Sequence, residues 1–380
     1  MKIFYIYTAL LTKGGADRVL TEKANWLAEH GYEIGIITDT QMGRPPVFPL
    51  SSKVNLINLD IDFAKEYGHN ILMRTYLYYQ LMKEYKTKMK AVFDTEKPDI
   101  VITTMGRDLD FLTDIYKNGI IIGEAHTTKH FLRNFHLMEE RGFPYKQIAG
   151  YWRKKMNKNV QKLKAVVLLT KEDAESWKGT TQTYVIPNSL PFEPEKSSSI
   201  QNKQAIAVGR YNHAKGYEYL IEAWKIVNNN HPDWVINIYG SGELKEQVKK
   251  LIEQAGLQKT MLMHEPTDDI MDKYMESSIC VVSSRYEGFS MVILEAMACG
   301  LPVVSFNCPH GPRNIINNGE DGILVEHLNA SALANEICHL IEHPEQRKAL
   351  GEKAKNNIKR FSRDNVMKQW TDLFNQLLPQ

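Results

Sequence analysis

The chain has 380 residues, 43% of them hydrophobic, and a formal net charge of +2 at pH 7. This length and apolar content suffice for two domains of ordinary size, each with a core of its own. No apolar run reaches the roughly eighteen residues of a membrane-spanning helix, and the first residues are typical of a strand rather than of a signal peptide, so we expect a cytoplasmic protein.

Short apolar runs alternate with helical stretches along most of the chain. Strands are predicted in the first half at 2–7, 32–38, 99–104, 119–125 and 165–170, and in the second half at 205–210, 235–240, 261–264, 279–284, 303–306 and 322–325. Such apolar strands, separated by helices, indicate parallel sheets that are covered on both faces. The sequence therefore predicts an α/β protein with two doubly wound, Rossmann-like domains.

A glycine pair follows the first predicted strand. Gly14 and Gly15 stand where a helix opens, and glycines there let a phosphate or a sugar approach the backbone closely. The segment lacks the G-x-G-x-x-G pattern, which argues against a dinucleotide-dependent dehydrogenase. Further along, His126 follows the strand at 119–125, where a histidine serves as often in a structural hydrogen bond as in a ligand contact.

Positive charge is concentrated in residues 129–164, where ten lysines and arginines accompany only two acids. Aromatic residues are interleaved with these bases, and the stretch 74–90 mixes tyrosines with bases in the same way. Such a surface suits an anionic membrane, although a solvated helix face with its aromatic rings in the core explains the pattern equally well. A nucleic-acid-binding protein would also use bases, but no recognisable nucleic-acid module is present.

A polar stretch rich in proline and serine, at 187–203, separates two strand signals and indicates a domain boundary. We therefore expect an N-terminal domain at 1–188, a C-terminal domain at 203–361 and an amphipathic terminal helix at 362–380. The four cysteines lie in the second half without C-x-x-C spacing, which predicts buried reduced thiols.

Two cations follow the strand at 205–210. Arg210 and Lys215 share a loop with Gly209 and Gly216, before a helix that begins near Tyr217. An arginine fork and a compact ammonium can together neutralise a diphosphate. Exposed loop cations are common, so this pair by itself is a weak signal.

The most informative segment places two carboxylates eight positions apart around the start of a helix. Glu287 is in the loop after the strand at 279–284, and Glu295 is embedded in an apolar helix that stops at 300–302. A buried carboxylate needs a donor, which sugar or ribose hydroxyls would supply, and the backbone N–H groups from 288 to 291 can bind a phosphate. The simpler alternative is a solvated loop acid followed by an exposed helix acid.

In combination these motifs resemble, over nearly the whole chain, the retaining glycosyltransferases of family four, also described as glycosyl transferases group 1. The resemblance rests on the Gly14-Gly15 segment, the His126 strand end, Gly209-Arg210 with Lys215-Gly216, and above all on Glu287 and Glu295 followed by ACGLPVV. It implies the GT-B fold, in which two Rossmann-like domains face a cleft and the terminal helix crosses back to the N-terminal domain.

The resemblance also implies the roles of individual residues. Arg210 and Lys215 would grip the donor diphosphate, Glu287 would hold the transferred sugar, Glu295 would bind the ribose, and the base would lie near 264–268. The catalytic set it implies is His126, Glu287, Arg210 and Lys215. The donor-binding set is Gly14, Gly15, Gly209, Arg210, Lys215, Glu287, Gly288, Phe289, Ser290, Met291, Val292 and Glu295.

For the donor, the segment 308–312 resembles that of members that use UDP-hexoses, so we expect UDP-galactose, UDP-glucose or an N-acetylated relative, with GDP-mannose as the alternative. The expected acceptor is a lipid-linked saccharide or glycolipid at the inner face of the cell membrane. A nucleotide-sugar epimerase or a phosphorylase on the same architecture is a further alternative. Two positions depart from the family pattern: Asp17 replaces the usual Glu, and Asn314 stands where relatives often carry Glu.

We expect neither a metal nor a cofactor, because the loop cations and a helix N-terminus can neutralise the leaving phosphate. Asp60 with Asp62, and Asp108 with Asp110, match the acid-x-acid pattern of metal-dependent transferases. Such tripeptides recur by chance, and these residues are expected to be surface acids.

Overall fold

The computed structural model describes residues 1–117 and 119–378. The chain divides into two compact units: unit 1 comprises residues 1–187 and the chain from 367 onward, and unit 2 comprises residues 188–366. Each unit contains one parallel sheet and one main hydrophobic core. The prediction of an α/β protein with two Rossmann-like domains is confirmed.

The sheet of unit 1 is built from seven parallel strands in the order β3-β2-β1-β4-β5-β6-β7. These strands are β1 (Lys2–Tyr7), β2 (Glu33–Thr38), β3 (Val54–Asn58), β4 (Ile100–Thr103), β5 (Ile120–Glu124), β6 (Ala165–Leu168) and β7 (Thr183–Val185). All five strands predicted for the first half are present. The two strands that the sequence missed, β3 and β7, are the edges of the sheet, where residues are only partly buried.

Helices cover this sheet: α1 (Gly15–Glu29), α2 (Ile71–Glu96), α3 (Leu112–Ile115), α4 (Phe135–Glu139), α5 (Tyr145–Val160) and α6 (Lys171–Ser176). Local hydrogen bonds fix where several of them begin. Asn70 accepts from the N–H of Met73 at 3.0 Å at the start of α2, and Thr170 accepts from the N–H of Asp173 at 3.1 Å at the start of α6.

Unit 2 has six parallel strands in the order β10-β9-β8-β11-β12-β13. They are β8 (Gln204–Val208), β9 (Val235–Tyr239), β10 (Met261–His264), β11 (Ile279–Val282), β12 (Val303–Phe306) and β13 (Ile323–Val325), as predicted to within two residues at each end. The chain winds outward from β8 in one direction and resumes at β11 in the other. The loops after β8 and β11 therefore leave the same edge of the sheet side by side, which is where open α/β sheets bind ligands.

The helices of unit 2 are α7 (Tyr217–Asn230), α8 (Lys245–Gln254), α9 (Ile270–Met275), α10 (Met291–Ala298), α11 (Ala330–Glu342) and α12 (Pro344–Asn357). They are followed by α13 (Arg363–Leu377), whose residues from Met367 onward belong to unit 1. In that part Trp370 and Phe374 are buried, so the predicted amphipathic helix is present.

The polar stretch after residue 187 is part of unit 2. Ser198 donates its hydroxyl to the carbonyl of Ser277 at 2.5 Å, and Arg347 donates to the carbonyl of Ile200 at 3.1 Å. These bonds fix a segment whose composition is typical of a linker. The four cysteines are free and buried, as predicted. In the described part of the chain, no helix combines the length and apolar character that a membrane span requires.

Candidate functional site

The strand order of the unit 2 sheet reverses between β8 and β11, which we call its switch point. The loops that follow these two strands are joined by hydrogen bonds. The Arg285 N–H donates to the carbonyl of Ala214 at 2.7 Å, and the Ser283 hydroxyl donates to the carbonyl of Lys215 at 2.9 Å. Gly216 has φ of 58°, and a Cβ there would lie 2.4 Å from the Ser283 carbonyl oxygen. Only glycine permits both this backbone conformation and this close approach.

Lys215 and Glu287 meet at this switch point. The Lys215 ammonium donates to Glu287 Oε1 at 2.7 Å, and the Ser284 hydroxyl donates to the same oxygen at 2.6 Å. The side chains of Lys215 and Glu287 are 22% and 11% exposed, so the pair is accessible without being fully solvated. Gly311, which the sequence analysis did not select, leaves room for Glu287, since a Cβ there would lie 2.4 Å from the Glu287 Cβ.

Gly209 and Arg210 lie directly after β8. The Gly209 backbone is used within the fold, because its carbonyl accepts from the Tyr217 hydroxyl at 2.8 Å. A Cβ at Gly209 would lie 2.9 Å from Lys215 Cε, so the glycine makes space for the lysine side chain. Arg210 is exposed, and among the described residues it has no ion pair. Its guanidinium is therefore accessible to an anion from solvent.

The N-terminus of α10 follows Glu287 closely. Ser290 is the residue before the helix and is 1% exposed, yet its hydroxyl does not cap the helix and has no hydrogen-bond partner in the described chain. Met291 and Val292 form the first turn, whose N–H groups have no partner within the helix. A buried hydroxyl and free amides at a helix N-terminus suit a phosphate. The Phe289 ring packs edge-on against Phe361 at 5.6 Å, so Phe289, unlike Gly288 beside it, uses its side chain for packing.

Glu295 lies one turn into α10 and is 8% exposed. Its carboxylate accepts from the Tyr274 hydroxyl at 2.9 Å. The alternative of an exposed helix acid is therefore wrong, and Tyr274 supplies a donor that the sequence did not reveal. Burial raises the pKa of the Cys299 thiol to about 12, with Glu295 adding to the effect.

Near the end of β10, His264 stacks on Tyr239 with ring centroids 4.7 Å apart. Its Nε2 lies 2.8 Å from Asn237 Oδ1. Burial lowers the pKa of His264, which favours the neutral ring. The base of the nucleotide is expected near this stacked pair of rings.

In unit 1, Gly14 immediately precedes α1, which begins at Gly15 as predicted. The loop before the helix is held by Asp17, which accepts from the Thr12 N–H at 2.8 Å and from the Tyr7 hydroxyl at 2.7 Å. Asp17 is 5% exposed. Asp17 therefore shapes this loop through its two hydrogen bonds.

His126 follows β5, beside a buried ion pair. Lys23 of α1 donates to both oxygens of Glu124, at 2.5 and 2.6 Å, and His126 Nε2 lies 3.5 Å from Glu124 Oε1. Neither ring nitrogen of His126 has a hydrogen-bond partner in the described chain. Lys23 and Glu124 are far apart in sequence and belong to no motif, so neither could be selected from the sequence.

The expectation that Asp108 and Asp110 are surface acids is wrong. Asp108 is 2% exposed and accepts from the Thr103 hydroxyl at 2.5 Å, while burial raises its pKa to about 6. The Asp110 side chain is 4% exposed and pairs with Arg133 at 2.9 Å. Asp60 is exposed, as expected. Within residues 1–117 and 119–378, no group of three or more His, Cys, Asp or Glu is arranged to hold a metal ion.

The basic stretch 129–164 and the tyrosine-rich stretch 74–90 are neighbours in unit 1, since Trp152 of α5 contacts Tyr78 of α2 edge-on with centroids 6.5 Å apart. We call the exposed side chains of these two stretches, taken together, the α2–α5 surface. Its exposed apolar and aromatic side chains are Leu72, Met73, Tyr76, Tyr79, Phe143, Tyr145, Ile148 and Tyr151. The exposed lysines Lys146, Lys154 and Lys158 have no ion pair among the described residues.

The known proteins to which this chain is similar include several glycosyltransferases. Residues 192–357 match the family model described as glycosyl transferases group 1. The chain is similar to an uncharacterized glycosyltransferase of Haemophilus influenzae, with 27% identity over 97% of this chain and 98% of that protein. It is also similar to the N-acetylgalactosamine-N,N'-diacetylbacillosaminyl-diphospho-undecaprenol 4-alpha-N-acetylgalactosaminyltransferase of Campylobacter jejuni, with 30% identity over 44% of this chain and 45% of that protein.

Among solved structures, the fold is similar to that of an S. aureus TarM mutant in complex with fondaparinux, alpha-GlcNAc-glycerol and UDP. The TM-score is 0.78 at 16% identity, over 98% of this chain and 99% of that one. Residues 192–357, most of unit 2, therefore match the glycosyl transferases group 1 family, and the chain has the two parallel-sheet Rossmann-like units of the GT-B fold.

Proposed function

We propose that this chain is a retaining hexosyltransferase of family four that uses a nucleotide-sugar donor. A UDP-hexose is the donor that we favour. The observation that carries the proposal is the Lys215–Glu287 pair, with a 2.7 Å contact, beside the first turn of α10. A cation, a carboxylate and free backbone amides thus meet at the switch point of the unit 2 sheet. A sugar diphosphate requires this combination, because it carries charge at one end and hydroxyls at the other.

Transfer breaks the bond between the anomeric carbon and the diphosphate, and negative charge grows on the leaving phosphate. Lys215, Arg210 and the α10 N-terminus can neutralise that charge, with the Ser290 hydroxyl donating as well. When Lys215 turns to the phosphate, Glu287 is released to accept a hydroxyl of the sugar. We favour a same-face displacement in which the leaving phosphate takes the acceptor proton, without a metal or a cofactor.

The other donor contacts are part of the same proposal. Glu295 would bind the ribose, with Tyr274 orienting its carboxylate, and the base would lie against His264. In unit 1, Gly14, Gly15 and His126 would contact the donor as in the family. The TarM structure contains UDP, which supports UDP over GDP for this chain.

For the acceptor we propose a lipid-linked saccharide or glycolipid, reached from the inner face of the membrane. The α2–α5 surface supports this, because exposed rings and unpaired lysines together suit an anionic lipid surface. The name of the Campylobacter relative specifies an undecaprenol-linked acceptor, which is the same chemical class.

A panel of nucleotide sugars tests the donor. We expect a UDP-hexose to raise the melting temperature and to be hydrolysed slowly, with GDP-mannose weaker on both counts. Release of free nucleotide should accelerate only when an acceptor is added, which separates transfer from epimerisation. Conversion of the donor to its epimer without any nucleotide release would overturn the transferase proposal.

Liposome flotation tests whether the protein binds to a membrane. The protein should float with anionic vesicles at low salt and dissociate at high salt, because the attraction is electrostatic. Replacing Tyr76, Tyr79 and Tyr151 by Ser should weaken flotation, whereas Lys368→Glu, on an exposed part of α13, should not. No flotation at low salt would remove the membrane part of the proposal and leave the donor part intact.

A further inference from the structure

Near the carboxyl end of β5, Lys23, Glu124 and His126 form a group of largely buried polar side chains. Lys23 and Glu124 are 5% and 2% exposed. The hydroxyl of Tyr5, both ring nitrogens of His126 and, two residues after His126, the hydroxyl of Thr128 are also buried, and none has a hydrogen-bond partner in the described chain. Such atoms are unusual, because buried polar groups nearly always find a partner.

The ion pair fixes the state of Glu124. The Lys23 ammonium lies 4.1 Å from the centroid of the Trp370 ring and 5.2 Å from that of Tyr5, and it contacts both Glu124 oxygens. Burial opposes ionisation of Glu124, but the contact with the Lys23 ammonium outweighs it, so the pKa of Glu124 is lowered. Glu124 is therefore a carboxylate that can only accept hydrogen bonds.

His126 is held beside this carboxylate with its Nε2 3.5 Å from Glu124 Oε1. Burial lowers the pKa of His126, Lys23 acts in the same direction, and Glu124 and Asp17 oppose them. A neutral imidazole has one N–H and one acceptor nitrogen. The carboxylate beside Nε2 favours the N–H on that nitrogen, which leaves Nδ1 as the acceptor.

We propose that Lys23 and Glu124 are positioning residues that hold the His126 proton on Nε2, so that Nδ1 accepts a hydrogen bond from a hydroxyl of the donor sugar. This inference rests on the proposed function, which assigns His126 to the donor. It makes the pair a determinant of donor specificity. A hexose that keeps this hydroxyl is preferred over its deoxy analogue, because the analogue leaves Nδ1 without a donor.

The tautomer can be read directly in the full chain. Long-range ¹H–¹⁵N spectra of uniformly labelled protein distinguish Nε2–H from Nδ1–H, and His126→Gln assigns the signals. Without a donor, we expect wild-type His126 to be neutral with its proton on Nε2 at neutral pH. A Nδ1–H tautomer or an imidazolium would overturn the proposal, and this result needs no variant of Lys23 or Glu124 to fold.

A double variant tests the cause. Lys23→Met with Glu124→Gln removes both charges at similar side-chain size and should give a mixture of tautomers. The control, Lys178→Met with Glu175→Gln, changes an exposed pair of the same residue types in unit 1, with side chains 73% and 65% exposed, and should leave the tautomer unchanged. A buried double variant that keeps the wild-type tautomer would overturn the proposal.

Kinetics with monodeoxy donors complete the test. For the intact donor, kcat/KM of the buried double variant should fall about tenfold, the size of one ordinary hydrogen bond, mainly through KM. The preference for the intact donor over one monodeoxy analogue should be lost. An inactive wild type would remove the proposed function but leave the tautomer result standing. An active double variant with full preference would remove this inference alone.

Discussion

Two lysine–glutamate pairs, one in each unit, have nearly the same geometry and different surroundings. Lys23 and Glu124 are 2.5 Å apart in the core of unit 1, and Lys215 and Glu287 are 2.7 Å apart at the edge of the unit 2 sheet. The first pair is closed in by Trp370 and Tyr5, while the side chains of the second are 22% and 11% exposed. A closed pair can only orient its neighbours, whereas an open pair can exchange its partner for a ligand.

The largest expected effect comes from breaking the closed pair. Lys23→Met leaves Glu124 buried without its cation, so the free energy of unfolding should fall by about 3–5 kcal/mol. Chemical denaturation measures this, with Lys178→Met at an exposed pair as the control, for which we expect a change of at most about 0.5 kcal/mol. Equal losses in both variants would show that burial does not distinguish the pairs.

Breaking the open pair should affect catalysis instead. Lys215→Ala removes a cation from the leaving phosphate, so kcat should fall roughly 10²- to 10³-fold while the melting temperature stays close to that of the wild type. Steady-state transfer assays measure the loss. Lys203→Ala, which changes a 63% exposed lysine of unit 2, should remain fully active. A fully active Lys215→Ala enzyme would contradict the site assignment.

Asp39 is a buried acid whose charge is compensated less well than that of Glu124 in the closed pair. Asp39 is 4% exposed, and burial raises its pKa to about 7, although Thr40 and Arg107 oppose the shift. The folded protein therefore holds a proton that the unfolded chain releases above its ordinary pKa of 3.8. This contribution to stability is fully present below that value and is lost as the pH rises through about 7.

Asp39→Asn should accordingly flatten the dependence of stability on pH between about 4 and 7, and at pH 8 the variant should be the more stable protein. Each unit of the pKa shift corresponds to about 1.4 kcal/mol. This conversion sets the upper limit on how much the pH dependence of unfolding free energy can differ between the wild type and Asp39→Asn. Denaturation curves at several pH values measure it, with Asp60→Asn at an exposed acid as the control. A variant with the slope of the wild type would contradict the assignment.

The smallest expected effect concerns the support of the open pair. Ser284→Ala removes the 2.6 Å hydrogen bond to Glu287 but leaves Lys215 in place, so kcat/KM should fall by about tenfold or less. Ser331→Ala, at an exposed position of α11, is the control. A loss as large as that of Lys215→Ala would mean that the hydroxyl, rather than the ammonium, governs the position of Glu287.

The sequence predicted the central strands well and the unit 1 edges poorly. Central strands such as β4 and β11 are buried at every residue, so each is a continuous apolar run. The edge strands β3 and β7 are partly exposed, and their residues do not show that pattern. The expectation of surface acids at Asp108 and Asp110 failed for a related reason, because a short acidic tripeptide does not reveal whether the fold buries it.

What the sequence determined by itself is the alternation of strands and helices, the helix starts at Gly15 and Met291, and the placement of Lys215 and Glu287 in loops after strands. Only the tertiary structure decided which side chains meet. Lys215 and Glu287 are 72 residues apart, and Lys23 and Glu124 are 101 apart. Local propensity acts over a few neighbouring residues, whereas contacts at such separations depend on strand order and on how helices pack against the sheet.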